Sequence, residues 1–550
     1  MLTMDETNKF LATKGTDGCK KRDNHVTARR PIQEVDSTTL PTEPTRSLLT
    51  AADVAVPFFL MHCAGLGRSL GAARGFFETL IPAYSSQSQS SALSLAVSAV
   101  AGKVFAACCR NERPAPWKND RPQSAQYAQA AVALRATIDD PKKRYRPATA
   151  LAILSMHLYE SMTAIHESRR ANPIHHDGLL SLLPLITVSD RLDGLINPYV
   201  QNYVVHLEVS SALRQARPVN TIVHKYMTST SGSMTVPLNI SSSLDQIGAV
   251  VAELHARYSR ATASQPGCTP SKHYRRDWTV EAKRIDKLLR DWTHGVPSHW
   301  QPLRLTSGRD FDSSIPSYQS ACAVYPSCQV ATIWNLWRIQ RLRLLRIIVG
   351  FAGQPSPSSS RDKSDDGNSP ETMATEVAAQ GDLMQDLIDG ICFSIPFYLG
   401  NRTRPAHLHD FTDREIRFPS LHSVGTERAK IALRRQAGDD TAMFEDEHRR
   451  HVTVNGAWHA MSILSTLLTI ISEQAVANRL QPEQKSWICE QLDRVATLLC
   501  LPTPMSRDGA ASSPEAEGCL PSPMSNGREG VAAEALAEQI QKGALFLSGP

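Results

Sequence analysis

From Ser91 onward the apolar residues of this chain recur at every third or fourth position, in one stretch after another, and strict alternation is scarce. That period lines apolar side chains along one face of a helix, whereas a half-buried strand needs a period of two. Leu93, Val97, Val100, Val104 and Ala107 form one such face within 91–110. Tyr127, Ala131, Leu134 and Ile138 form another within 124–138, which stops at Asp139-Asp140-Pro141. The strongest stripe, Leu151, Leu154, Leu158, Met162 and Ile165, spans 148–169 and is broken by Asn172-Pro173. Further helices are expected over 175–186, 194–213, 242–261, 278–292, 330–351, 372–399, 459–472 and 483–501, with a short Ala-rich one over 531–547. Pro297, Pro302, Pro316 and Pro326 mark a loop region. The expected fold is all-α, a multi-helix domain of packed helices.

Polar segments frame these helices. Residues 1–45 are rich in Thr, Lys, Arg and Asp and read as a disordered, basic and polar N-terminus. The runs Lys20-Lys21-Arg22 and Arg29-Arg30 read as a solvated tail before a nuclear-import signal. Residues 354–370, Ser/Pro-rich, are expected to form a disordered insertion that divides the helical domain into a first part, 46–353, and a second, 371–501. Residues 502–550 are a low-complexity tail with the short terminal helix.

A chain of 550 residues has room for two or three domains, and a net charge of +5 is too mild to argue for nucleic-acid binding over the whole molecule. The eleven cysteines follow no regular spacing; Cys108, Cys109, Cys392, Cys489 and Cys500 lie in apolar helical stretches and read as reduced, buried thiols. There is no signal-peptide pattern and no run of the roughly 18 apolar residues that a membrane span needs. The expectation is a soluble, intracellular protein with no membrane partner.

Two blocks carry the functional reading. The first is Trp334-Asn335-Leu336-Trp337-Arg338 with Arg341-Leu342, and the second runs from Ile388-Asp389-Gly390 through Cys392-Phe393-Ser394-Ile395-Pro396-Phe397-Tyr398-Leu399-Gly400. Ala133-Leu134-Arg135 with Asp140-Pro141, Leu158-Tyr159-Glu160, His175-x-x-Gly178 with Leu182-Leu183, and Trp487-Ile488 with Leu492 stand around them in order. This ordered set, over about 125–500, resembles the helical regulatory region of fungal zinc-cluster transcription factors. The chain departs from the pattern at Phe393, where that family carries a small residue, and in the polar segment after Leu399. The resemblance implies a nuclear regulator of transcription, controlling a metabolic gene cluster such as one for secondary metabolism. It implies contact with other transcription proteins or with a DNA-binding partner, a homo- or heterodimer among the expected assemblies, and no catalytic residues.

The family's DNA reader holds two zinc ions on six closely spaced cysteines. Here Cys19 alone precedes Cys63, so the cluster is absent from this sequence. An upstream exon, a DNA-binding partner or a changed role each account for that, and a helical scaffold or adaptor with no DNA-linked role is the alternative reading.

Enzyme motifs are incomplete. Glu445-x-x-His448 has half of a di-iron spacing but no second copy, so the stretch to His451 reads as a solvated, charged helix start. Asp139-Asp140, Asp365-Asp366 and Asp439-Asp440 do not continue into an Asp-rich metal motif, and Asp190-x-x-Asp193 reads as a helix cap. Gly65-x-Gly67 lacks the third glycine of a dinucleotide fingerprint. No catalytic, cofactor-binding or metal-ligating residue is assigned, and no cofactor is expected. Arg338, Arg341, Arg343 and Arg346 could bind an acidic effector or phosphate, but the favoured expectation is that they pair with acidic residues or face solvent. Trp334 and Trp337, three apart, are expected to pack on one face.

Overall fold

The stretch around Leu151 is apolar on every side, and a helix of that kind belongs inside a bundle. In the computed structural model every residue from Thr149 to Met162 is buried. The structure describes residues 51–68, 75–108, 121–186, 191–230, 239–263, 272–352, 370–422, 443–502 and 526–543, all within one unit from Leu49 to Pro550. The expected disordered segments 1–45 and, for most of its length, 354–370 lie outside the described residues.

The described helices begin with α1 (Ala51–Phe59, continued by a π turn Leu60–Gly65), α2 (Phe76–Ser85), α3 (Ala92–Cys108), α4 (Arg121–Asp139), α5 (Pro147–His166) and α6 (Ile174–Leu182). Then follow α7 (Arg191–Arg214), α8 (Thr221–Thr230), α9 (Ile240–Ala263) and α10 (Lys272–Trp292). A hairpin of β1 (Leu303–Thr306) and β2 (Ala321–Val324) pairs antiparallel, Leu303 opposite Val324 and Thr306 opposite Ala321. Beyond it lie α11 (Cys328–Ala352), α12 (Pro370–Cys392), α13 (Ile395–Leu399), α14 (Glu445–Ile471), α15 (Gln474–Ala477), α16 (Gln484–Leu498) and α17 (Asn526–Gly543). Among the described residues the fold is all-α apart from that hairpin.

Two helices organise the second half. α11 packs against α9, α10, α12 and α14, and α14 also packs against α13, α16 and α17. Helices on both sides of the 354–370 segment therefore share one core. The terminal helix belongs to it as well: Ala533, Leu536, Ala537 and Ile540 of α17 are buried. By length and composition α14 could cross a membrane, but it lies almost entirely inside the helical body. Cys63, Cys108, Cys322, Cys328, Cys392 and Cys489 are free thiols buried in the body; Cys109 and Cys19 lie outside the described residues.

Three expectations need correction. The single helix expected over 372–399 is two, because Pro396 has no N–H and its ring clashes with a helical carbonyl four residues back. The chain breaks at Phe393-Ser394, and the Phe393 carbonyl accepts instead from the Ala323 N–H of β2 at 2.7 Å. The helix expected from His459 begins at Glu445, and its first turns are not simply solvated. Glu445 and Asp446 are exposed, whereas His448 and His451 are buried. The arginine face of α11 does not meet solvent: all four arginines are buried.

Close approach fixes two glycines. Gly400 ends α13 with φ of 56°, where a Cβ would lie 2.2 Å from the Arg417 carbonyl oxygen. A Cβ on Gly456 of α14 would lie 2.0 Å from the Tyr398 carbonyl oxygen. Gly456→Ala should therefore lose more by overpacking than it gains in helix propensity, a net destabilisation of about 2 kcal/mol or more. Urea denaturation measures it, and an unchanged midpoint would contradict the close packing of α13 on α14.

Candidate functional site

The two sequence blocks meet across a buried polar seam. Asn335 of α11, fully buried, donates from Nδ2 to Ser394 Oγ at 2.9 Å and to Tyr398 Oη at 3.3 Å. Its Oδ1 accepts from Arg338 at 2.8 Å, and the same guanidinium nitrogen donates to Tyr325 Oη at 3.1 Å. Thr332 Oγ1 lies 2.9 Å from the Cys328 carbonyl, 3.1 Å from Tyr398 Oη and 2.7 Å from His459 Nδ1. One assignment satisfies all three contacts: Thr332 donates to the carbonyl and accepts from Tyr398 and from a protonated Nδ1 of neutral His459. Gln484 of α16 and Gln385 of α12 each donate to Asp389 Oδ1 at 2.7 Å.

These groups build the site rather than face a substrate. The departure at Phe393 has a local reason: the Arg304 guanidinium of β1 lies 4.0 Å from the ring centroid, and Tyr318 packs on it at 6.2 Å. Trp334 and Trp337 pack edge to face at 5.4 Å, and their indole N–H groups donate to the Trp300 and Leu289 carbonyls. Of the outlying segments, Leu134, Leu158, Ile488 and Leu492 are core residues, Glu160 binds Arg169 and the Asn172 N–H, and Tyr127 Oη meets His175 at 2.9 Å.

The remaining sequence candidates do not assemble. Glu445 is exposed while the His448 ring packs 5.3 Å from Phe397, so the pair faces different surroundings. Asp140 accepts from the Lys142 N–H and pairs with Lys143 just beyond α4. Gly67 has a positive φ of 70° against the His451 ring. Asp190, Asp365-Asp366 and Asp439-Asp440 lie outside the described residues. Among the described residues no group of three or more His, Cys, Asp or Glu side chains is placed to hold a metal ion.

The α11 arginines divide. Arg341 forms a fork with Asp286 of α10, at 2.7 and 3.2 Å, and Arg346 pairs with Glu473 just before α15. Arg338 is held by Asn335 and Tyr325 as described. Arg343 instead points toward His255 of α9 and reaches a cavity of about 370 Å³ shared with Arg214 and Arg346. The periodicity of α7 and α9 gives no hint that Arg214 and His255 converge there; only the crossing of those helices with α11 brings them together.

Comparison with family models, with curated proteins and with solved structures gives no match to this chain.

Two measurements test the seam. Asn335→Leu leaves the Ser394 and Tyr398 hydroxyls and the Arg338 guanidinium short of a buried partner and should cost about 2–3 kcal/mol in chemical denaturation. The buried histidines of α14 set an acid limit. Burial first, then His422, holds His448 down at about 4; burial, then Arg68, holds His459 at about 3 and His451 well below the ordinary value of 6.5. The folded state thus binds fewer protons than the unfolded state below pH 6.5, so stability is full above that pH and falls as pH drops toward 4. Urea midpoints across pH 7.5 to about 4.5 should fall accordingly; a flat profile would contradict neutral buried histidines.

Proposed function

We propose that this chain is a nuclear regulator of transcription, of the fungal zinc-cluster type but acting through its all-α domain without a zinc cluster in the sequence given. The reading rests on one observation above the others. The Trp-Asn…Arg block and the Ile-Cys-Phe-Ser-Ile-Pro-Phe-Tyr-Leu-Gly block, far apart in sequence, are joined by the Asn335–Ser394 hydrogen bond of 2.9 Å. That contact supports treating the two blocks as a single architectural unit, as the resemblance treats them. The outlying matches at Leu134, Leu158, Ile488 and Leu492 are core positions of the same body.

In this role the chain works by protein–protein contact, with transcription proteins or a DNA-binding partner, and as a homo- or heterodimer. It does no chemistry of its own. Its targets would be the genes of a metabolic cluster, those for a secondary metabolite among them. The lone Cys19 leaves the link to DNA open between a partner and an upstream exon, and the absent cluster is what supports a helical scaffold or adaptor as the second reading.

Deletion of the gene in its host, with transcript profiling and chromatin mapping of the tagged protein, tests both. Coordinated change in one neighbouring gene set, with occupancy there, is the expected result. Unchanged transcripts together with cytosolic location would reject the regulator and leave the scaffold.

A further inference from the structure

The cavity between α7, α9, α11, α14 and α17 holds a buried guanidinium, that of Arg343, with no carboxylate against it. Its volume of about 370 Å³ lies in the range of small-molecule sites. Three guanidiniums line it, Arg214, Arg343 and Arg346. Arg343 and Arg346 are only 6% and 5% exposed, and Arg214 is partly buried at the end of α7.

Three carboxylates stand in the wall. Glu473 takes Arg346. Glu534 is engaged by Lys485 at 2.7 Å and by the Ser472 hydroxyl at 2.9 Å, and Glu538 by Lys542 at 2.6 Å. None pairs with Arg343. Its Nη1 lies 3.4 Å from each ring nitrogen of His255, and its Nε has no hydrogen-bond partner; the Nε of Arg346 has none either. Burial, then the Arg346 charge, with Arg214 a smaller contributor, lowers the Arg343 pKa to about 9. Burial, then Arg343 and Arg346, drives His255 down to about 2, so the imidazole supplies no charge.

The other buried arginines of the same helix show what a purely structural role looks like here. Arg341 is met by a forked carboxylate, and Arg338 by an amide and a phenol. Arg343 has no carboxylate partner and a buried Nε without a hydrogen-bond partner, and it lines the cavity together with Thr466 and Gln541. A planar guanidinium presents its N–H groups in a fork that matches phosphate and carboxylate oxygens.

We propose that this cavity binds a small multivalent oxyanion, an organic phosphate or a di- or tricarboxylate, with Arg343 as its central ligand and Arg214 and Arg346 flanking it. The inference goes beyond the transcription reading and does not depend on it.

The test uses the purified full chain, with inorganic phosphate and citrate as probes at constant ionic strength, read by titration calorimetry and thermal unfolding. Saturable one-to-one binding of at least one probe is expected, with a melting temperature that climbs with its concentration. The phosphate and citrate arms separate the two ligand sources. Arg343→Gln should melt above the wild type without ligand, since an uncompensated buried charge is gone, and should lose about tenfold or more in affinity. Arg214→Gln should weaken binding and keep the fold. No saturable binding of either probe would overturn the proposal, as would wild-type affinity in the variants. General salting by the anion would raise every melting curve alike and counts against it too. Should Arg343→Gln not fold, Arg214→Gln decides alone. Because binding is read on purified protein, failure here leaves the transcription experiment untouched.

Discussion

Four guanidiniums on one helix inside a packed body impose the constraint from which the neighbouring structure follows. Each cation taken from water costs on the order of several kcal/mol unless charge or hydrogen bonds replace its hydration. At Arg338, Arg341 and Arg346 the chain meets that cost with specific partners from other elements. Asp286 brings α10 against α11, Glu473 brings the residue before α15, and Tyr325 brings the residue just after β2. Cation–π contacts add to this, with Arg341 4.9 Å from the Trp337 centroid and Arg346 5.4 Å from that of Tyr258. The arrangement holds only if α11 keeps one rotation, since turning it would strand Arg338, Arg341 and Arg346 at once.

The seam around Asn335 works in the same way with neutral groups. A buried amide hydrogen-bonded to a serine, a tyrosine and an arginine tolerates one register of α11 against α12 and α13. The break at Pro396 is part of this arrangement. It frees the Phe393 carbonyl for β2 and turns Tyr398 back toward Thr332 and His459. The block that carries the resemblance is therefore architectural. A regulatory role placed on this body would act through its surfaces and its arginine-lined cavity rather than through the motif residues, which are buried in the core.

Much of the helical plan was legible because its period is local. The stripes at Leu151, Ile285 and Leu342 fall in α5, α10 and α11 as the spacing predicts. α1 and α2 escaped notice because Pro57 and Pro82 lie inside them, which ordinarily argues against a helix, and α8 because it is short and polar. The burial of His448 and His451 was illegible for a different reason. Their sequence neighbours are Glu447, Arg449 and Arg450, while the groups that bury them come from Phe397 and from the Gly67 turn.

What the sequence determined by itself is the all-α class, the main helices and the two blocks that define the resemblance, because these depend on spacing along the chain. What only the tertiary structure decided is which charges are compensated. From the sequence, Arg341, Arg343 and Arg346 are equivalent members of one arginine run. In space, one meets Asp286, one meets Glu473 and the third meets a neutral histidine and a cavity. Electrostatic compensation depends on distance between atoms, and residues 55 to 127 positions apart come within reach only when helices cross.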